Sequence, residues 1–125
     1  MNVRLTCLAG AIALASVASA GESKSQSRYL AKPLTGDFYM YGGSLGDSTP
    51  PTDKDRKLSL MVTGPLARDL FDHLGADIKH ACGAGPDQRE RGKGDLGCIW
   101  TKSEGYSCYV GLDLRTGRSM RGLTC

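Results

Sequence analysis

Two histidines, five cysteines and a set of dispersed carboxylates are the residues of this chain with chemistry to offer, and their spacing decides what that chemistry is. His73 and His80 have Asp69, Asp72 and Asp77 nearby, the residue types of a divalent-metal or acid–base site. The arrangement argues against one. A His-x-x-x-His pair sets two imidazoles on one helical face, whereas these two lie on either side of Gly75, where a helix should stop. A histidine in the last turn of a helix also has an ordinary role, its cationic form lying near the negative helix end. Asp72 with Asp77, or Glu90 with Asp95, are the types of a glycosidase carboxylate pair, but separation in space defines such a pair. The serines at 44, 48, 59, 103, 107 and 119 are not given a nucleophile's role, because a Ser-His-Asp triad does not follow from loose residue types. Gly83-Ala84-Gly85-Pro86 and Gly92-Lys93-Gly94 lack the Gly-Lys-Ser/Thr ending of a phosphate loop. No catalytic residue, metal ligand or cofactor is assigned.

The cysteines carry a clearer message, through the compartment in which they work. Arg4, an apolar run from Leu5 to Val17 and the small residues Ala18-Ser19-Ala20 stand in the order a signal peptidase reads. Cleavage after Ala20 predicts a mature chain that starts at Gly21, is periplasmic or secreted, and has lost Cys7. The apolar run is shorter than the ~20 residues of a membrane span and nothing later replaces it, so no stable membrane insertion is expected. Cys82, Cys98, Cys108 and Cys125 remain, and an even cysteine count in an exported chain is the signature of two disulfides. Zinc-ligating cysteines come in closely spaced pairs and thiol exchange uses Cys-x-x-Cys; neither spacing occurs.

Charge excludes a further class. The chain has 16 Lys and Arg against 13 Asp and Glu, a balance of +3 that includes Arg4 of the signal. These charges are interspersed, without the one-sided basic face that nucleic acid requires. A mature length of about 105 residues suits one domain, whose modest core benefits from covalent cross-links.

The elements that position these residues follow from pattern. Residues 21–33 are Ser- and Lys-rich and read as a flexible leader, with a single domain over 34–125. Asp37 to Tyr41 reads as an aromatic strand ended by Gly42-Gly43, followed by an exposed loop from Ser44 to Arg56. Lys57 to Val62 alternates as a half-buried strand. Thr63-Gly64-Pro65 starts a helix that places Leu66, Leu70, Phe71 and Leu74 on one side and stops at Gly75. A short helical turn over Ala76–Cys82 is one option, and Gly83 to Gly94 reads as a polar loop. Leu96 to Thr101, Tyr106 to Leu114 and a last strand ending at Cys125 form a β meander, with Trp100 and Tyr109 as packing residues. The expected fold is α+β, one main helix packed on a small antiparallel sheet of about four strands, disulfide-stapled. If Leu114 pairs with Ser119, Cys108 stands opposite Cys125, which leaves Cys82 to join Cys98; the other connectivities stay open.

Candidate contact residues are Arg89, Arg91 and Lys93, basic side chains on a loop braced between Cys82 and Cys98, together with Tyr39 and Tyr41 of the aromatic strand. Size, rigidity and the absence of catalytic motifs point to a small exported binding protein, an inhibitor, immunity-type or accessory protein acting on another envelope or extracellular protein, with a hydrolase as the foremost candidate. The alternatives are a binder of an anionic glycan, lipid or small ligand, and a small hydrolase.

Overall fold

The computed structural model of the chain describes residues 30–83 and 85–124. The expected signal peptide, most of the expected leader and Cys125 lie outside the described residues. Contacts divide the chain into two units, Met1–Ala31 and Lys32–Cys125, and all the regular structure that follows belongs to the second. In chain order it contains β1 (Thr35–Ser44), β2 (Asp47–Thr49), β3 (Lys57–Thr63), α1 (Gly64–His73), β4 (Gln88–Lys93), β5 (Leu96–Thr101), β6 (Gly105–Asp113) and β7 (Arg118–Met120). All neighbours are antiparallel, in one sheet of order β2-β1-β3-β6-β5-β4, and β7 pairs with the end of β6. A helix on an antiparallel sheet is therefore correct, but among the described residues the sheet has seven strands, not about four. Among the described residues no helix is long and apolar enough to cross a membrane.

Two of the added strands come from segments that read as loops. Gln88–Lys93 carries no apolar residue, yet it pairs with β5 with Arg89 opposite Trp100 and Arg91 opposite Cys98. On that face the arginine stems cover apolar surface while their heads reach polar partners, so charged residues satisfy a half-buried strand. Gly42-Gly43 does not end β1: the chain continues to Ser44 and turns back as β2. The rest of the Ser44–Arg56 segment is exposed but tied down. Asp55 accepts from the Gly43 N–H (2.7 Å) and pairs with Lys57, and Lys57 Nζ donates to the Gly43 carbonyl (2.8 Å). The Ala76–Cys82 segment forms turns, with no helix.

Side chains alternate across a sheet, and the two faces have different fates. Leu60, Val62, Leu96, Cys98, Trp100, Tyr106 and Cys108 share one face, and α1 lies on it with Ala67 and Phe71 buried. Gly64, at φ 70°, makes the sharp turn from β3 directly into this helix, a conformation costly for any residue with a Cβ. Phe71 meets Tyr106 edge-on, with ring centroids 5.2 Å apart. Leu70 and Leu74 pack beside it as expected, whereas Leu66 remains 44 % exposed and lies outside the core.

A disulfide joins Cys98 to Cys108, which corrects the expected Cys82–Cys98 and Cys108–Cys125 pairs. The reason is register. Cys98 and Cys108 are cross-strand partners in the β5–β6 hairpin, with Cα atoms 4.0 Å apart, the close spacing of a pair that exchanges no backbone hydrogen bonds. On β7, Ser119 pairs with Leu112 and not Leu114, and the ladder ends at Met120. Cys82 is itself disulfide-bonded.

Candidate binding site

The expected basic surface is built into the fold. Arg89 and Arg91 project from the helix side of β4, and both close on Asp77, in the segment that follows α1. Arg89 Nε lies 2.7 Å from Asp77 Oδ2 and Arg91 Nε 2.7 Å from Oδ1. Arg91 also donates to the Phe71 carbonyl (3.0 Å), and its guanidinium sits 4.4 Å from the Phe71 ring centre. Its side chain is only 16 % exposed. Hydrogen bonds from Arg89 and then Arg91 hold the Asp77 carboxyl at about 2, well below its ordinary value, and Asp77 in turn raises Arg89. The Ile78 N–H adds a bond to the Glu90 carbonyl (2.8 Å), so the segment is latched along the outer edge of β4. Lys93, at the hairpin end, is exposed.

The histidines stay apart from any such cluster. His73 Nδ1 lies 2.7 Å from the Asp69 carbonyl, and that contact, helped by the Asp69 carboxylate, raises its affinity for a proton. Both His73 and His80 are exposed, and among the described residues no three His, Cys, Asp or Glu side chains gather as metal ligands. Gly42-Gly43-Ser44-Leu45-Gly46 spells the Gly-x-Ser-x-Gly of a nucleophile elbow. In this fold it forms the β1–β2 hairpin and not a strand-to-helix turn, and Ser44 Oγ accepts from the Asp47 N–H (3.1 Å).

The face away from α1 is the more open one. Asp37, Tyr39 and Tyr41 of β1 pair with Met61, Ser59 and Lys57 of β3, and Met61 pairs with Tyr109 of β6, so these side chains share that face. The residues after β7 cross part of it. Ser59 Oγ donates to the Gly122 carbonyl (2.7 Å), and Gly122 lies so close to the Val110 backbone that a Cβ there would stand 2.5–2.8 Å from it. Beside this crossing a cavity of about 240 Å³ stays open, lined chiefly by Asp37, Tyr39, Met61 and Tyr109. Tyr39 forms its rim, 51 % exposed, stacked on Tyr41 at 5.7 Å and bonded through its hydroxyl to Ser48 Oγ (3.0 Å). Tyr41 is fully buried, its hydroxyl has no hydrogen-bond partner among the described residues, and burial raises its pKa; it offers nothing to a partner. Trp100 packs beneath α1, but Tyr109 looks out on the open face. A second hollow, of about 620 Å³, lies beside the start of α1 between Leu34, Pro65 and Leu66.

Of the contact residues read from sequence, Tyr39 is thus exposed on an apolar rim, Arg89 and Arg91 are engaged internally, and Tyr41 is core. Met61, Tyr109 and Asp37 complete the open face, and only the pairing of three strands brings them together. The fold and site together describe a small disulfide-linked α+β protein with an open aromatic sheet face. Comparison with protein families, with curated proteins and with solved structures finds no match for the chain.

Proposed function

We propose that the chain is a small exported binding protein that acts on another envelope or extracellular protein, as an inhibitor, immunity-type or accessory factor, and that it makes contact through its open sheet face. The observation that carries this reading is the group Tyr39, Met61 and Tyr109 around a cavity on the face that α1 leaves uncovered. Aromatic and Met side chains on rigid strands supply contact area at small cost in conformational entropy, and such residues anchor protein interfaces. Asp37 at the rim favours a basic group on the partner. The arginines of β4 do not share the role, because Asp77 and Phe71 already occupy them.

Capture by the mature protein, in parallel with a Tyr39→Ala/Tyr109→Ala variant and an Arg89→Ala variant, tests the reading. The double variant should lose the specifically captured protein at least tenfold while the arginine variant keeps it. Capture that survives the double substitution refutes this face as the site.

A further inference from the structure

The two long edges of the sheet are treated differently. Along β4 the outer edge is occupied: the Ile78 N–H bonds to Glu90, and Asp77 grips Arg89 and Arg91. Along β1, β2 covers only Gly42 to Ser44. Which backbone groups remain follows from alternation. The Leu114 N–H bonds to the Arg56 carbonyl (3.0 Å), which turns Arg56, Leu58, Leu60 and Val62 toward β6 and the residues between them toward β1. Lys57, Ser59, Met61 and Thr63 therefore exchange hydrogen bonds with Tyr41, Tyr39, Asp37 and Thr35. Gly36, Phe38 and Met40 point their N–H and C=O groups away from the sheet, and among the described residues nothing pairs with them. Around this bare edge Phe38 is 70 % exposed and Leu34 54 %, and Asp37 is its one charge. Exposed apolar edges of this kind invite another strand, and charged residues are the usual guard against it.

We propose that this edge pairs, antiparallel, with the same edge of a second copy of the chain, with Phe38 of each copy on the two-fold axis. Geometry and charge select that register. Only outward-facing residues can bond, so each must stand opposite another of the set Gly36, Phe38 and Met40. A register centred on Asp37 sets two carboxylates directly opposite, which is repulsive. One centred on Tyr39 drives Gly36 into the place that β2 of the other copy holds beside Gly42. The remaining register pairs Phe38 with Phe38, Gly36 with Met40, and Asp37 with Tyr39 of the second copy. That tyrosine then stands at the mouth of the cavity lined by Asp37, Met61 and Tyr109, so the second copy contributes to the open face. Because the same edge of each copy is used up in the contact, assembly stops at two, as an isologous pair. A strip of seven residues is about 24 Å long and buries on the order of 800 Å² in all, below the roughly 1,200–2,000 Å² of stable complexes, so the dimer is reversible and concentration-dependent. The pairing uses backbone groups of β1 and is independent of whatever protein the open face binds.

Cysteine trapping of the mature protein tests the register. Phe38→Cys should give a covalent dimer on mild oxidation, because an opposed hydrogen-bonded pair has Cα atoms ~5.5 Å apart, within disulfide reach. Met40→Cys faces the same way but would stand ~14 Å along the strand from its counterpart and should not cross-link. In the unmodified protein, raising the concentration should shift sedimentation from monomer to dimer and slow amide exchange at Gly36, Phe38 and Met40 about tenfold, with Asp37 and Tyr39 unchanged. Phe38→Lys should remain monomeric and folded. Equal cross-linking of the two cysteine variants overturns the register. A monomer at millimolar concentration with those amides exchanging freely overturns the dimer, as does protection that appears only when a different protein is added.

Discussion

Removal of the Cys98–Cys108 cross-link by Cys98→Ala/Cys108→Ala should cost this domain a large share of its stability. The bridge closes a loop across 10 residues, for which the chain-entropy relation gives about 2.7 kcal/mol at 25 °C. Both sulfurs lie in the core between Val62, Ala67 and Phe71, and each is essentially inaccessible. Deleting them leaves small voids worth ~1 kcal/mol apiece, so the total is about 4–5 kcal/mol. A unit of about 94 residues has roughly 5–14 kcal/mol to lose. The variant should therefore be marginally folded, its melting temperature lower by about 20–30 °C.

Urea denaturation followed through the single tryptophan, Trp100, is the direct assay, since that ring packs against the same cluster. The midpoint should fall and the slope m should rise, because an unlinked chain exposes more surface when it unfolds. A loss below ~1 kcal/mol would refute the account altogether. A loss of full size at unchanged m would mean that packing, not chain entropy, accounts for the effect. Tryptic mapping without reduction gives an independent check on connectivity: cleavage after Lys102 must leave the Cys98 and Cys108 peptides joined.

Other perturbations separate the roles of neighbouring residues. Arg91→Ala should destabilise by ~2 kcal/mol in denaturant titration, through loss of its bond to the Phe71 carbonyl and its stacking on that ring, and Arg89→Ala measurably less. The Asp77 carboxyl is lowered from 3.8 to about 2 on folding, so its contribution is complete above the unfolded value and lost as pH falls toward 2. Asp77→Asn should thus weaken the protein at neutral pH and flatten the acid limb of its stability curve; an unchanged limb between pH 5 and 2 contradicts the latch. Tyr41→Phe removes a buried hydroxyl without a partner and should be neutral or stabilising by up to ~1 kcal/mol in thermal unfolding. Gly122→Ala forces a Cβ onto the Val110 backbone and should release the C-terminal crossing, seen as faster amide exchange at residues 121–124 with β5 and β6 still protected.

Local signals were enough for much of this fold. Gly64-Pro65 and Gly75 bracket α1, and the alternation of Lys57 to Val62 marks β3. The strand expected over Leu96–Thr101 matches β5, and Tyr106 to Leu114 anticipates β6 within a residue at each end. The cross-link was legible too, but in the other turn. Thr101 and Gly105 flank the β5–β6 turn as partners, and counting back from them places Cys98 opposite Cys108. Counting from Leu114 and Ser119 failed because β6 stops at Asp113 and the turn starts earlier, which moves the partner of Ser119 by two residues. The open face was beyond local reading. Met61, Tyr109 and Tyr39 meet only because β1 and β6 both flank β3, and the β3–β6 pairing joins segments separated by the helix and two strands.

Charge was the signal most easily read backwards. A run such as Gln88–Lys93 draws notice as a contact surface because its cations look available, yet a cationic strand is also how a sheet edge is made unattractive to other strands. In this fold Arg89 and Arg91 turn to Asp77 and Phe71 and hold the segment after α1 along that edge, while Lys93 stays exposed. The opposite edge, Gly36 to Met40, carries one charge and leaves alternate backbone groups unpaired among the described residues, which makes it the less conspicuous surface in sequence and the more receptive one in structure. Alternation also divides its aromatic pair: Phe38 lies on the helix side, Tyr39 on the open side next to Asp37, so a strand added along β1 would touch both faces at once. Receptivity here belongs to a position in the sheet, and residue type alone does not reveal it.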